Sequence, residues 1–584
     1  MLETMESLAM ALVLALIIRG SVMEAYVIPT GSMAPTLLGR HVSLVCPNCG
    51  YPYDRGIPAN ATRPSISEVY CPNDLYPAAI TSPQGAEKLA RVLGYFVLSV
   101  LAAGAFYALG RWVYHDEPSA KVGGLISCLV VFYVLLGALQ PVRGGDRILV
   151  SKLYYHFHQP RRWDVIVFKS PEDVSRNFIK RLVAVPGDRV QILDGDLVIN
   201  GMVSRKPEHA QRAVWRLVYD QEHQPARNGK AMWQGPPNRF RIEPDEMVLL
   251  AAAEDGEVPG PVEVRFVRRC VDSYGGEVLL PDILDQCGYN RGLGRNVVGD
   301  LRIGGQCLLS SGNGSFWLGL DHDERRYRLH LELTEGGRAR ARLEVDGVVR
   351  ESVDVPGGPT EWHRVELSKV DYRLQAEVDG LVLGPVDLWS GVAQASLRSR
   401  HSGVVLGSVG LEVRVRRLRI DRDIYYTGSV RGSNRSGRTA IRLEAGEYFV
   451  LGDNSPDSRD GRDWRSPDEI YELVDDVLSG GARNADQRRA RLLHYGPKAV
   501  PELLAAAIGG DSDDQRRVAA LLEAVVPDHP VRLNPDEDLA EALSRWAVWW
   551  QDQERAPSQI VPAENLLGKP FLVFWPLSRV GLIR

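Results

Sequence analysis

Lysine is scarce in this chain, cysteine is few and odd in number, and neither sign of charge dominates. Arginine far outnumbers lysine among the 69 basic residues, so few amines are available to act as a catalytic base. Seven cysteines exclude a complete set of internal disulfides. A net charge of -5 removes the electrostatic case for a nucleic-acid partner. The first residues carry no Lys or Arg; they carry Glu3 and Glu6, which argues against the basic start of a cleaved signal peptide. No Gly-x-Ser-x-Gly elbow surrounds Ser32, so a histidine-based triad has no local support there.

At 584 residues the chain is too long for one domain, and its 45% hydrophobic and 24% charged content is ordinary for folded protein. Leu8 to Ile18 is strongly apolar, and the run resumes after Glu24 as Ala25-Tyr26-Val27-Ile28. This reads as a short, retained transmembrane helix, with a buried core helix as the alternative. Two further apolar runs, Val92 to Gly110 and Gly123 to Gln140, approach the ~20 residues that span hydrocarbon. The short link between them makes a membrane hairpin. Two crossings return the chain to the side it left, so residues before and after the hairpin can still meet. The Lys and Arg distribution leaves orientation undecided.

Directly after the first apolar run comes Pro29-Thr30-Gly31-Ser32-Met33-Ala34-Pro35-Thr36. Far downstream, Asn177-Phe178-Ile179-Lys180-Arg181 opens an alternating strand, with Phe178, Lys180 and Leu182 on one face. A serine hydroxyl needs a base, and a lysine serves only when neutral. At its ordinary pKa, about one lysine in a few thousand is neutral at pH 7, and apolar burial lowers that pKa by up to several units. On these residues alone Lys180 is equally an ordinary strand lysine, Thr30 a turn residue, and Gly452 to Arg462 a polar Asp/Arg-rich loop.

Five blocks in order resemble bacterial signal peptidase I, the S26-type Ser/Lys membrane protease, here as a large variant with insertions. They are the apolar N-terminus, the Ser32 run, Gly145-Asp146-Arg147-Ile148-Leu149-Val150-Ser151-Lys152, the stretch from Trp163 to Asp188, and Gly452-Asp453-Asn454 through Asp463; Val561 to Arg584 is also family-like. The resemblance implies that Ser32 is the nucleophile and Lys180 the general base. It implies that the Ser32 backbone N–H and Thr30 hydroxyl face the oxyanion, that Ser458 hydrogen-bonds and orients the lysine, and that Asp460 and Arg462 prop the site. Asp453 and Asn454 are placed with the supporting residues. Gly461 stands where the family usually has serine, and Arg465 where it has glycine. The implied reaction is removal of signal peptides from exported preproteins through an acyl-enzyme, without a catalytic cofactor. The implied partners are signal peptides and the lipid bilayer. The implied location is the bacterial inner membrane, multi-pass, with the catalytic domain on the extracytoplasmic side. Two rivals stand beside it: an inactive, membrane-anchored glycan- or protein-binding module on a protease core, and a related Ser/Lys processing protease of narrow specificity.

The expected fold is multi-domain and mainly β. A signal-peptidase-like core is expected in three parts (143–204, 428–465 and 559–584), after an anchor and nucleophile segment (1–40), a cysteine knuckle (41–87) and the membrane hairpin (88–142). Residues 205–296 form an insertion of unassigned fold. Residues 297–427 alternate cleanly between Asp-Gly turns, as in Ala339 to Val345 before Asp346-Gly347, and resemble a jelly-roll-like β-sandwich, with a glycan, a protein or no partner. Residues 466–558 turn helical and resemble HEAT-type pairs, with Trp546, Trp549 and Trp550 as a small core. In the knuckle, Cys46-Pro47-Asn48-Cys49 faces Cys71-Pro72-Asn73-Asp74. A three-Cys, one-Asp structural zinc site, a Cys46/Cys49 redox pair and a decayed ribbon that binds nothing are the alternatives.

Overall fold

The computed structural model describes residues 16–57, 70–77, 142–171, 173–225, 232–243, 245–250, 260–271, 277–285, 294–310, 313–333, 338–356, 361–391, 399–427, 441–462, 464, 485–509, 512–527, 529–531, 538–553 and 560–583, with single helical positions within 6–14, 97–108 and 470–478. The fold is mainly β and is built from several separate sheets.

The first sheet has eight strands. Its order is β1 (Met23–Val27), β4 (Arg147–Ser151), Leu566–Trp575, β5 (Val165–Lys169), β6 (Asn177–Ala184), Glu447–Leu451 and Val561–Pro562, with Gly581–Leu582 paired on Leu566–Trp575. The chain's last long strand therefore sits in the interior of the sheet. It starts five residues before the expected Phe571 and runs between β4 and β5. A smaller sheet pairs Ile441–Arg442, β7 (Arg189–Leu193), β8 (Asp196–Ile199) and Met202–Val203. Asp194 and Gly195, with φ of 47° and 92°, make the tight turn from β7 to β8.

The N-terminal expectation needs correction. Ala25 to Val27 belong to β1, which pairs antiparallel with β4, so the helical segment ends at Val22 rather than continuing through Ile28. The described residues before it are helical, and Met10, Val13, Leu14, Leu16 and Ile17 are exposed there. No helix among the described residues is long and apolar enough to cross a membrane. The run 123–140 lies outside the described residues; in 92–110 the described positions are helical, with Val97, Val100 and Leu101 exposed.

The expected boundary at 297 also dissolves. Arg216–Asp220, Phe240–Ile242 and Glu246–Leu249 share an eight-stranded sheet with Leu301–Leu309, Trp362–Val370, Arg373–Val378, Leu381–Asp387 and Val413–Arg422. Trp233–Gln234 and Val262–Phe266 join a seven-stranded sheet with Gly314–His322, Arg325–Leu333, Ala339–Val345, Val348–Val355 and Ser402–Val409. Residues from both sheets fill one apolar core, including Trp233, Phe266, Phe316, Leu343 and Ile420. The strands of 205–296 are short and interrupted by polar loops, which hides their period, but they bury side chains in the same core. Arg216–Asp220 pairs antiparallel with Val413–Arg422, so the unit's first and last strands close its base. Among the described residues of 485–553, the α-helices Ala485–Tyr495, Val500–Gly509, Ser512–Val525 and Leu539–Gln553 surround a separate apolar cluster. Trp546 is fully buried within that cluster and Trp550 nearly so.

Candidate active site

Ser32 lies on the loop that leaves β1. Both ends of this loop are pinned by Asp146, at the start of β4. Ile28 N–H donates to the Asp146 carbonyl at 2.9 Å, Asp146 N–H to the Leu38 carbonyl at 2.8 Å, and Leu38 N–H to Asp146 Oδ2 at 2.8 Å. Arg579, from the far end of the chain, adds a bond of 2.9 Å to Asp146 Oδ1 and reaches the Pro35 and Thr36 carbonyls. Gly145 is required here, because a Cβ at that position would stand 1.6 Å from the Ile28 carbonyl oxygen.

Lys180 is on β6, between β5 and Glu447–Leu451, with Ile166 as its register partner. It is 4% exposed, and Ser32 is 9% exposed. Lys180 Nζ lies 2.6 Å from Ser32 Oγ although the residues are 148 positions apart. The apolar wall comes from the lysine's own strand face and its neighbours. Phe178 brings its ring centroid 5.8 Å from Nζ, and Leu182, Phe168, Val450 and Trp464 cluster behind it. Alternation along β6 is what puts Phe178, Lys180 and Leu182 on one side.

The loop 452–462 closes the other side. Asn454 clamps the nucleophile loop twice: its N–H donates to the Ser32 carbonyl at 2.9 Å and its Nδ2 to the Gly31 carbonyl at 3.0 Å. Asp453 is fully buried and takes two bonds from Arg181, at 2.8 and 2.7 Å, and one from Thr36 Oγ1 at 2.5 Å. Burial opposes the Arg181 charge, but Asp453 outweighs it and holds the guanidinium above its usual range. Asp460 receives the Gly452 N–H at 2.9 Å and both arms of Arg462, which also binds Thr427 and Ser455. Burial pushes the Asp460 carboxyl up, yet the Arg462 pair, the Lys180 charge and the Gly452 N–H together hold it below the ordinary carboxylate range.

Two expectations fare differently. Thr30 is exposed at the rim of the loop, two residues before Ser32. Ser458 is fully buried beside the dyad, but its Oγ has no hydrogen-bond partner among the described residues. The expected Ser458–Lys180 bond is therefore absent, and the Lys180 amine is directed at Ser32 instead. Sequence reasoning missed Arg181, Thr36, Trp464, Arg579 and Arg216. Arg216 opens the first strand of the two-sheet unit and donates to the Asp453 carbonyl at 2.6 Å and to the Ala34 carbonyl. Burial, then the nearby Arg422 charge, lowers its guanidinium to about 9. Apart from this site, Cys46, Cys49, Cys71 and Asp74 bring one ligand atom each to within 4.8 Å of one another.

A family model described as "Signal peptidase, peptidase S26" matches residues 131–253, a stretch that contains Lys180 and the start of the two-sheet unit. A probable signal peptidase I-1 of Synechocystis is 40% identical over 105 residues, covering 16% of this chain and 54% of its own length. A signal peptidase I of Pseudomonas aeruginosa is 28% identical over 141 residues, covering 21% and 48%. The chain thus spans about half the length of these curated relatives. Among solved structures, a Bacillus licheniformis β-glucanase aligns with a TM-score of 0.23 at 9% identity, covering 34% of this chain and 94% of that one.

Proposed function

We propose that this chain, a member of the signal peptidase I family, is a membrane-bound serine endopeptidase that removes signal peptides from exported preproteins with Ser32 and Lys180. The observation that carries the reading is the 2.6 Å contact between a buried amine and a buried alcohol from distant parts of the chain. In the neutral lysine, that contact lets Nζ take the Ser32 proton as Oγ attacks the scissile carbonyl. The amine of the mature protein leaves with that proton, and an ester to Ser32 remains. Water, deprotonated by Lys180, then releases the signal peptide and restores the serine. The Ser32 N–H and Thr30 at the loop rim are the donors proposed for the oxyanion. Asn454 serves by fixing the Gly31 and Ser32 carbonyls, which sets the direction of the intervening N–H. Phe178, Leu182 and Trp464 belong to the apolar wall beside the amine.

We place the catalytic core outside the cytoplasm of a bacterial inner membrane. The exposed apolar helical positions before Ile18 and around Val100 suit lipid. The inactive-module alternative is disfavoured by the dyad contact itself. The test is cleavage of a preprotein by the detergent-purified full chain. Ser32→Ala and Lys180→Ala are each expected to lower cleavage by at least ~10²-fold with an unchanged melting midpoint. Undiminished cleavage in either variant would remove that residue from its role, and no cleavage by the parent chain would remove the activity.

A further inference from the structure

We propose that Cys46, Cys49, Cys71 and Asp74 hold one structural zinc ion, which staples the nucleophile-bearing segment to the two-sheet unit. The ligands come from two matching turns, Cys46 to Gly50 and Cys71 to Leu75. In each turn the first cysteine's carbonyl accepts an N–H four residues on, Gly50 N–H to Cys46 O at 2.9 Å and Leu75 N–H to Cys71 O at 3.0 Å. That knuckle aims side chains one and four of the turn to the same side. Two knuckles face to face make four ligands, which is what tetrahedral zinc requires.

The spacing decides between metal and disulfide. With zinc–sulfur bonds of ~2.3 Å and a zinc–oxygen bond of ~2.0 Å, a tetrahedron has sulfur–sulfur edges of ~3.8 Å and sulfur–oxygen edges of ~3.5 Å. Cys49 Sγ and Cys71 Sγ are 3.6 Å apart, and Cys46 Sγ is 3.5 Å from Asp74 Oδ1. A disulfide needs ~2.05 Å, and no disulfide joins these three cysteines. A redox pair also needs access for an exchanging thiol, whereas Cys46, Cys49 and Cys71 are 2%, 8% and 0% exposed.

Asp74 is the second line of argument. It is 9% exposed and faces sulfur, and it pairs with no cationic side chain among the described residues. A buried carboxylate without a counter-charge is costly. Its orientation is nevertheless fixed, by Asn48 Nδ2 on Oδ2 at 2.9 Å and by the Tyr76 N–H on Oδ1 at 3.0 Å. Outer partners that hold a ligand's direction are a regular part of metal sites.

The position of the site gives its consequence. The first knuckle closes the hairpin of β2 (His41–Val45) and β3 (Pro52–Gly56), which follows the Ser32 loop directly. The second docks on the two-sheet unit: Asn73 is fully buried, takes the Asp220 N–H at 2.7 Å and donates to the His223 carbonyl at 2.7 Å, while Arg268 binds the Pro72 carbonyl. Zinc would join these two anchors.

The test uses the full chain, purified in detergent with reductant and supplied with zinc or cobalt(II). Elemental analysis is expected to find one zinc per chain, falling at least tenfold in Cys46→Ser/Cys71→Ser. Cobalt is expected to show tetrahedral d–d bands with thiolate-to-metal charge transfer. Asp74→Cys, which keeps a fourth ligand, is expected to hold metal against chelator at least tenfold longer than the parent. Stripping the metal is expected to open the 41–57 hairpin to protease. Less than a tenth of an equivalent in the parent overturns the proposal. Metal retained in full by the double variant, or a native Cys46–Cys49 disulfide, also overturns it.

Discussion

At Gly452 the site leaves no room for a methyl group. A Cβ there would lie 2.1 Å from Ser458 Oγ and 2.5 Å from the Ser32 carbonyl oxygen. The same residue's N–H is the one held by Asp460. Gly452→Ala must therefore push the nucleophile loop away from β6 or displace Ser458. A shift on the order of 1 Å in a reacting atom costs about 10²-fold in rate, and overpacking typically costs about 1–3 kcal/mol. The expected outcome is a kcat lowered by ~10²-fold with a modest fall in melting midpoint. A kcat within twofold of the parent would show that the loop absorbs the methyl without moving Ser32. The glycine was visible in the sequence only as the first letter of a motif, because one of the atoms it must avoid, the Ser32 carbonyl oxygen, belongs to a segment 420 positions earlier.

Elements carry the site in a way that was only half legible. Period-two alternation placed Phe178, Lys180 and Leu182 on one face of β6, but the strand Asn177–Ala184 is buried on both faces from Lys180 to Ala184. Alternation could not show that Arg181, on the opposite face, is as buried as a core leucine, since burial there depends on Asp453 arriving from Glu447–Leu451 and its following loop. Ala339–Val345 was readable because its side chains alternate strictly between the core and the outer face. Arg216–Asp220 was not, because a bulge between Leu217 and Tyr219 breaks its register against Val413–Arg422. That unread strand supplies Arg216, which bonds the Ala34 and Asp453 carbonyls. Arg216→Met keeps the bulk and leaves both carbonyls without this donor. Buried groups left unsatisfied cost about 1–3 kcal/mol each. We expect a lower melting midpoint and a fall in kcat of ~10-fold or more, with KM little changed because Arg216 sits behind the loop. A loss confined to KM would place Arg216 on the substrate side instead.

At the scale of the whole molecule, the core that carries Ser32 and Lys180 is tied to the two-sheet unit by buried polar groups as well as by apolar residues that flank the unit, Val214 and Tyr426 among them. Lys206, which follows the small sheet, pairs with Asp423 at 2.8 Å and with Asp371, while Gln211 donates to Asp423 at 2.7 Å. Asp194 at the β7–β8 turn binds Ser399 and Tyr425, and Ser399 Oγ is 2.6 Å from His322 Nε2. Burial, then the positive charge of Lys369, lowers His322 to about 4, against an ordinary value of 6.5; Asp300 and Asp323 oppose this, and His401 adds to it. The sign follows from linkage. A histidine held neutral by the fold binds its proton more tightly when unfolded, so its contribution is complete above about pH 6.5 and is lost as pH falls toward 4. A shift of this size is worth at most about 3 kcal/mol. The joint between core and insertion is thus expected to loosen on acidification. The difference in melting midpoint between the parent and His322→Gln should narrow steadily from pH 7 to pH 4. A constant difference across that range would mean that His322 keeps its charge state and that the acid sensitivity of the joint resides in the carboxylates around Lys206. Because Arg216 runs from this same unit to the Ser32 loop, loosening of the joint should lower kcat at a pH where the chain is still folded.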